Sequence, residues 1–349
     1  MTVSNTKPTL RIGAVGAGRM GAIHIENMLG VRFVEVAAIC TPFDHEIDWC
    51  KNTVPEATIY KDYDDLLKDK NVDAVWLSSP TSFHKEQVYK ALKADKHVFC
   101  EKPLSMNPED AWDVYNKALQ YPHLKVACGF PRRFVPAFQE AAKRIKNGEL
   151  GEILSMKLSS SDLYNGTEAF SNYIKVSGGI FVDCNIHDID ACLFLLGEDK
   201  LPQRAFATGS TKVYPHFAEY GDVDNAHGLV EFDDGFVCNI YGSRDNRHGH
   251  HTKAEIFGSK ANLTLHGEPR LLSIDIHDHN GSRLMNAKDQ MELFGEAYVT
   301  EIKGFRDWIL FDEDAGFNLK DAAKAVSIGQ SLQQSVRSRQ IVDIKAPTK

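Results

Sequence analysis

Residues 10–21 read LRIGAVGAGRMG, an apolar run from Leu10 to Val15 followed by Gly16-Ala17-Gly18-Arg19-Met20-Gly21. A GxGxxG set directly behind a first strand and opening a first helix has the form of a dinucleotide-binding turn. The first glycine permits the tight turn, the second lets backbone approach a pyrophosphate, and the third lets the helix pack closely. The helix N-terminus adds unpaired N–H groups and partial positive charge facing the phosphates. Gly16, Gly18, Arg19, Met20 and Gly21 are therefore expected to hold a cofactor.

Working outward from this turn, Val34–Ile39, Asp73–Leu77, His97–Cys100 and Val126–Cys128 are short apolar runs bounded by turn residues. Helical segments separate them: one from about Met20, the amphipathic Tyr63–Lys68, and Asn107–Leu119. The last begins with a capping Asn107, Pro108 at the first helical position, and Glu109 and Asp110 at the positive end of the dipole. Strands alternating with helices predict parallel βαβ units and a doubly wound Rossmann sheet over residues 1–129.

Past Gly129 the pattern changes. Leu154, Met156 and Leu158 alternate with Ser155, Lys157 and Ser159, as in a sheet with one solvated face. Ala226–Phe232 and Phe236–Tyr241 flank Asp233-Asp234-Gly235, a hairpin signal. Ala254–Phe257, Asn262–Leu265 and Leu271–Ile276 continue the series. A mostly antiparallel, α+β second domain is expected over residues 130–349. It ends in two helices, one with Phe294, Tyr298, Phe305 and Ile309 on one face, the other over Leu319–Val336. The last helix is a candidate to pack back on the first domain.

Composition bounds the function. The 349 residues are too many for one core, which stops growing near ~250–300 residues. A formal charge of −8 disfavours nucleic-acid binding, and no run approaches a membrane span. The seven cysteines include no CxxC pair, which argues against a disulfide framework or structural zinc. With no apolar signal core in MTVSNTKPTL, a reduced, cytoplasmic setting is expected.

An Asp or Glu usually stands ~20 residues beyond the glycines to accept from the 2′-OH of NAD. Thr41 occupies that place, and Asp44 is a substitute only if its loop bends inward; a solvated loop acid is the alternative. NAD and NADP both remain open, with NAD slightly favoured.

Ligands of such folds bind outside the carboxyl ends of the strands. Glu101 and Lys102 sit at one such end, where a lysine can stabilise alkoxide character as hydride leaves. Ser79, Pro80, Thr81 and His84 follow the third strand and can contact the nicotinamide ribose or simply cap the next helix. In Gly178-Gly179-Ile180-Phe181-Val182-Asp183-Cys184-Asn185-Ile186-His187, a helix starting at Asp183 would put Asp183, His187 and Asp190 on one face. The histidine is a natural proton acceptor that a neighbouring carboxylate can orient; an ordinary helix ion pair is the alternative. The two glycines allow close backbone approach.

The ordered series GAGRMG, SSPTSFH, CEKPLS, GFPRRF, SGGIFVDCNIHDID, GDVDNAHGLVEFDDG, AEIFGSK and EAYVTEI resembles the glucose-fructose oxidoreductase / inositol dehydrogenase (Gfo/Idh/MocA) family over essentially the whole chain. Its texture is most similar to the inositol 2-dehydrogenase branch. The resemblance implies an NAD(P)-dependent dehydrogenase that oxidises a secondary CHOH of a cyclitol, with an aldose or glycoside dehydrogenase as the rival and a cofactor-sensing regulator as a third reading. It implies Lys102 as a substrate-positioning cation, His187 as proton acceptor and Asp183 as its orienting partner. Arg132 or Arg133, Asp162 and Tyr298 would approach the substrate. It also implies a homo-oligomer, dimer or tetramer, and no metal. Two positions depart from the family. His248-Gly249-His250-His251 stands where inositol dehydrogenases tend to carry Tyr-Gly-Tyr-Asp, and Thr41 stands where they usually place an aspartate.

Overall fold

The short apolar runs become strands in the computed structural model, which describes residues 8–197, 200–266, 270–279 and 281–345. The chain divides into two compact units. One comprises the residues up to Pro131 together with Glu296–Ala323, and the other Arg132–Gly295 with the residues from Lys324 onward.

The first unit is built on β1 (Leu10–Val15), β2 (Val34–Cys40), β3 (Thr58–Tyr60), β4 (Ala74–Leu77), β5 (His97–Cys100) and β6 (Val126–Cys128). All neighbours are parallel, in the order β3-β2-β1-β4-β5-β6. This is the doubly wound arrangement, in which strand order reverses beside β1 and a ligand crevice opens there. Only the three-residue β3 lacked a sequence signal, being too short for any periodicity. The core under the sheet holds Ile12, Ile25, Met28, Ile39, Trp76 and Phe99, closed by Ile302 and Phe305 of the helix Gln290–Phe311. Trp76 and Phe99 stack at 3.4 Å between centroids, and Phe305 meets both edge-on. Burial of these aromatics places Glu296–Ala323 in the first unit, so the return is made by the first late helix and the opening of the last one, Leu319–Ser338.

In the second unit, β7 (Ile153–Leu163), β8 (Pro202–Ser210), β9 (Asn225–Phe232), β10 (Val237–Asn246), β11 (His251–Gly258), β12 (Asn262–Leu265), β13 (Arg270–Asp278), β14 (Gly281–Asn286) and β15 (Val342–Asp343) follow in sequence. Seven of them form one sheet in the order β12-β11-β7-β10-β9-β8-β15, while β13 and β14 pair separately. Pairing is antiparallel except between β7 and β10. Alternation behaves as the sequence requires: Met156, Leu158, Val230, Cys238, Ile240, Ala254 and Ile256 are buried on one face. On the other, Phe206 and Leu229 are cross-strand neighbours, 40% and 43% exposed. The helix Ile186–Leu196 is buried nearly all round and is placed by contacts with β7 and β10.

No helix among the described residues is long and apolar enough to cross a membrane, and none of their His, Cys, Asp and Glu clusters could hold a metal ion. All seven cysteines are buried and unbridged.

Candidate functional site

In the first unit, the residue following each strand except the edge strand β3 donates its N–H to the last carbonyl of the neighbouring strand. Thr41 bonds Tyr60, Gly16 bonds Cys40, Ser78 bonds Val15, Glu101 bonds Leu77 and Gly129 bonds Cys100, at 2.8–3.0 Å. The parallel register therefore lines up Thr41, Gly16, Ser78 and Glu101 in one row at the carboxyl edge. Lys102 follows one residue beyond.

Gly16 has φ +88°, and a side-chain carbon there would sit 3.0 Å from the Ser78 carbonyl oxygen. At Gly21 it would sit 2.0 Å from the Gly16 carbonyl oxygen. Both positions thus demand glycine for steric reasons. The helix Arg19–Leu29 has no side-chain cap and no acid in its first turn. The buried Ser78 Oγ has no partner among the described residues. An uncapped helix start beside an unsatisfied hydroxyl fits a dinucleotide pyrophosphate.

At the second strand's end, Thr41 is fully buried, and its hydroxyl donates to Glu46 in the helix Asp44–Thr53. The second anchor of that carboxylate is the Ala17 N–H, 3.3 Å away in the glycine loop. Asp44 does not bend inward: it is exposed and paired with Lys61 at 2.6 Å.

Ser79, Pro80 and Thr81 lead into the helix His84–Lys93 through a 3-10 turn at Thr81–Phe83. His84 is buried with Nδ1 2.9 Å from the Pro103 carbonyl and Nε2 3.0 Å from the Ser79 carbonyl. It ties the loop after β4 to the loop after β5, so its contacts are structural, and burial pushes its imidazole down. Ser79 Oγ donates to Gln87 at 2.5 Å. Glu101 is buried; its Oε1 meets His24 Nε2 at 2.5 Å, and its Oε2 accepts the Lys102 N–H at 3.1 Å. Burial pushes the Glu101 carboxyl up, but the bond to His24 and the charges of His24 and Lys102 outweigh it, leaving the group below its usual range. His24 is fully buried against Trp76, Phe99 and Tyr298. Tyr298 is thus a core residue of this unit, its ring 5.7 Å from that of His24.

In the second unit, the expected helix starting at Asp183 is two pieces. A short helix Ile180–Asp183 ends at Cys184, and the long one begins at Ile186 after Asn185. The interruption at Cys184 and Asn185 falls between Asp183 and His187, and both of these linking residues keep right-handed helical backbone angles. Asp183 accepts from the Tyr173 hydroxyl at 2.6 Å and from Arg244 at 3.0 Å. The charge of Asp183 raises the Tyr173 hydroxyl, so it stays a donor. Gly179 has φ +100° and lies where a side-chain carbon would be 2.2 Å from Gln333 Cδ, so this glycine is required by packing within the unit. His187 lies in the first turn of the long helix, 9% exposed.

Asp190, expected beside His187, is gripped by Arg133 through Nε at 2.9 Å and Nη2 at 2.7 Å. Arg132 donates to Asp188 at 2.5 Å and to Ser160 at 2.6 Å, 4% exposed. Both arginines of GFPRRF thus anchor the helix carrying His187, a use the sequence reading had not assigned them. Asp162 accepts from the Cys184 thiol at 2.5 Å and lies 3.1 Å from His250 Nδ1. Burial pushes its carboxyl up, but His250, Cys184 and Arg244 more than offset this and hold it at about 2. Glu46, His24, Tyr173 and Arg244 carried no motif signal, because each is defined by its partner and not by its spacing.

His266 packs against Phe138 and Phe294 and is held down to about 4, first by burial and then by the charges of Arg132 and His251. The unfolded chain binds this proton near its ordinary ~6.5, so from about pH 6.5 down to 4 the unfolded state holds more protons and stability falls with pH. The melting temperature is expected to drop across that window, and His266→Asn should flatten the drop. An identical slope in the variant would remove His266 as the cause.

Comparison with known proteins adds an independent line. A family model described as an oxidoreductase family with an NAD-binding Rossmann fold matches residues 10–129, and a GFO/IDH/MocA C-terminal domain model matches residues 138–264. Myo-inositol 2-dehydrogenase of Thermotoga maritima is 32% identical over 96% of this chain and 99% of its own length. The scyllo-inositol 2-dehydrogenase (NAD(+)) of Bacillus subtilis is 31% identical over 89% of this chain and 91% of its own. Among solved structures, the scyllo-inositol dehydrogenase of Lactobacillus casei with bound NAD(H) and scyllo-inositol matches with a TM-score of 0.91 at 29% identity, covering 96% of this chain and 99% of that one.

Proposed function

The chain belongs to the Gfo/Idh/MocA oxidoreductase family, and from that premise we propose that it oxidises a secondary CHOH of an inositol-like cyclitol. It is an NAD-dependent dehydrogenase. The observation that carries the substrate class is the near full-length match to relatives named for inositol oxidation. Bound NAD supplies the hydride acceptor, and Gly16, Gly18, Arg19, Met20 and Gly21 hold it, with Ser78 in reach of the loop. Ser79, Pro80, Thr81 and Glu101 are assigned to the nicotinamide half, and His84 shapes their loops from beneath.

His187 takes the hydroxyl proton on its imidazole as the carbinol carbon loses hydride. Lys102 stabilises the oxygen as negative charge develops there. Asp183, held by Tyr173 and Arg244, is assigned to orient His187 and, with Asp162, held by His250 and Cys184, to approach the polyol, while Arg132 fixes the helix that presents His187. The first unit is assigned to the cofactor and the second to the substrate. The chain is assigned to the cytoplasm, which its unbridged cysteines support, and to a dimer or tetramer, supported by the exposed Phe206–Leu229 pair on the open sheet face.

A pyranose is the second reading, because His248, His250 and His251 stand where inositol dehydrogenases tend to carry tyrosines and an aspartate beside the substrate. Initial rates with NAD+ and NADP+ against inositol stereoisomers, aldoses and glycosides decide between them. NAD+-dependent turnover of an inositol is the expected result, and turnover of pyranoses alone would replace the cyclitol reading.

A further inference from the structure

Where a carboxylate was expected at the end of β2, the chain has Thr41, and the obvious substitute, Asp44, points into solvent toward Lys61. The position is nonetheless acidic. Glu46 stands in the first turn of the following helix, and its side chain reaches the strand end and the glycine loop. Its Oε2 accepts from the Thr41 hydroxyl and lies 3.3 Å from the Ala17 amide nitrogen in the glycine loop. Its Oε1 lies 3.6 Å from where a side-chain carbon at Gly18 would be. Thr41 is itself oriented, its hydroxyl oxygen accepting the Phe43 N–H at 3.4 Å. The carboxylate is therefore held against the glycine loop from two directions by groups of the strand end and the loop.

We propose that Glu46 is the residue that reads the adenosine ribose and sets the preference for NAD over NADP, with Thr41 as its positioning residue. The inference rests on the assignment of a dinucleotide to this loop. A carboxylate has acceptor capacity beyond its two bonds here and can take hydrogen bonds from the ribose 2′- and 3′-hydroxyls. A 2′-phosphate offers no donor and brings nearly two negative charges to the same point. The contact replaces in space what the strand end lacks in sequence: a threonine plus a glutamate five residues later stand in for one aspartate.

Equilibrium binding of NAD+ and NADP+ to the full-length protein, by calorimetry, tests this without turnover. The wild type is expected to bind NAD+ more tightly. Glu46→Gln, which keeps the shape and removes the charge, is expected to reduce the NAD+/NADP+ affinity ratio at least about tenfold, or about 1.4 kcal/mol. Glu46→Ser, which also opens space for a phosphate, is expected to reduce it further. Asp44→Asn should change it less than about threefold, since Asp44 faces Lys61. The kcat/KM ratio for the two cofactors should follow. An unchanged ratio in both Glu46 variants, or an equal shift from Asp44→Asn, overturns the role of Glu46 and leaves the dinucleotide assignment standing. Wild-type protein that binds neither dinucleotide overturns that assignment and the inference with it.

Discussion

Replacing His187 by alanine is expected to lower kcat by ~10²–10⁴ while leaving the affinity for NAD+ nearly unchanged. The size follows from the chemistry. Hydride leaves a carbinol readily only as its oxygen gains alkoxide character, so a proton must be taken in the same step or before it. Without the imidazole, water must accept that proton and lacks the driving force at neutral pH. The split between kcat and binding follows from the chain's division, because the glycine loop and Glu46 belong to the first unit and His187 to the second. The substitution should also spare the fold. The long helix is held by Arg132 to Asp188 and by Arg133 to Asp190, neither of which involves position 187. Steady-state kinetics and cofactor titration on one preparation provide the check, together with a pH profile whose acid limb should flatten in the variant. Turnover near that of the wild type would remove His187 as the proton acceptor.

Arg132→Met should have the largest effect on stability, a loss of ~3–5 kcal/mol. Asp188 is 0% exposed, and Arg132 donates to its Oδ1 at 2.5 Å. Two neutral donors remain, Ser160 and Asn185, each 2.7 Å from Oδ2. They satisfy lone pairs without balancing the charge. A buried carboxylate stripped of its cation carries an uncompensated desolvation cost, which is why removing one partner costs more than the intact pair contributes. Urea unfolding should show the loss directly. A second substitution, Asp188→Leu, should recover part of it by removing the stranded charge. If Arg132→Met lowers stability by less than about 1 kcal/mol, the pair does not anchor the helix as its geometry implies.

The first unit was largely legible in the sequence because its determinants are local. Glycines at 16 and 21, required by steric demand, together with a strand of six residues and a helix start, decide the turn. Once the parallel register is set, the neighbours of the turn follow. The hairpin at Asp233-Asp234-Gly235 and the alternation in β7 belong to the same class. The carbonyl contacts of His84, the burial of Tyr298 beside His24 and the break after Asp183 do not, since each depends on what a distant segment places opposite. The helix starting at Asp183 illustrates the difference. Periodicity favoured continuity, but the N–H groups of Cys184 and Asn185 both turn to the Ile180 carbonyl, and the helix restarts at Ile186.

The residues 10–21 that open the chain's first motif show the same boundary at its sharpest. Their sequence was enough to specify a dinucleotide turn, because φ and close approach are properties of the residues themselves. It was not enough to say which dinucleotide. Thr41 in the expected position read as the loss of a carboxylate, and folding returns one from the next helix through Glu46. Backbone conformation is encoded along the chain. The charge that faces a ligand is a property of space, and only the tertiary structure decides which side chain supplies it.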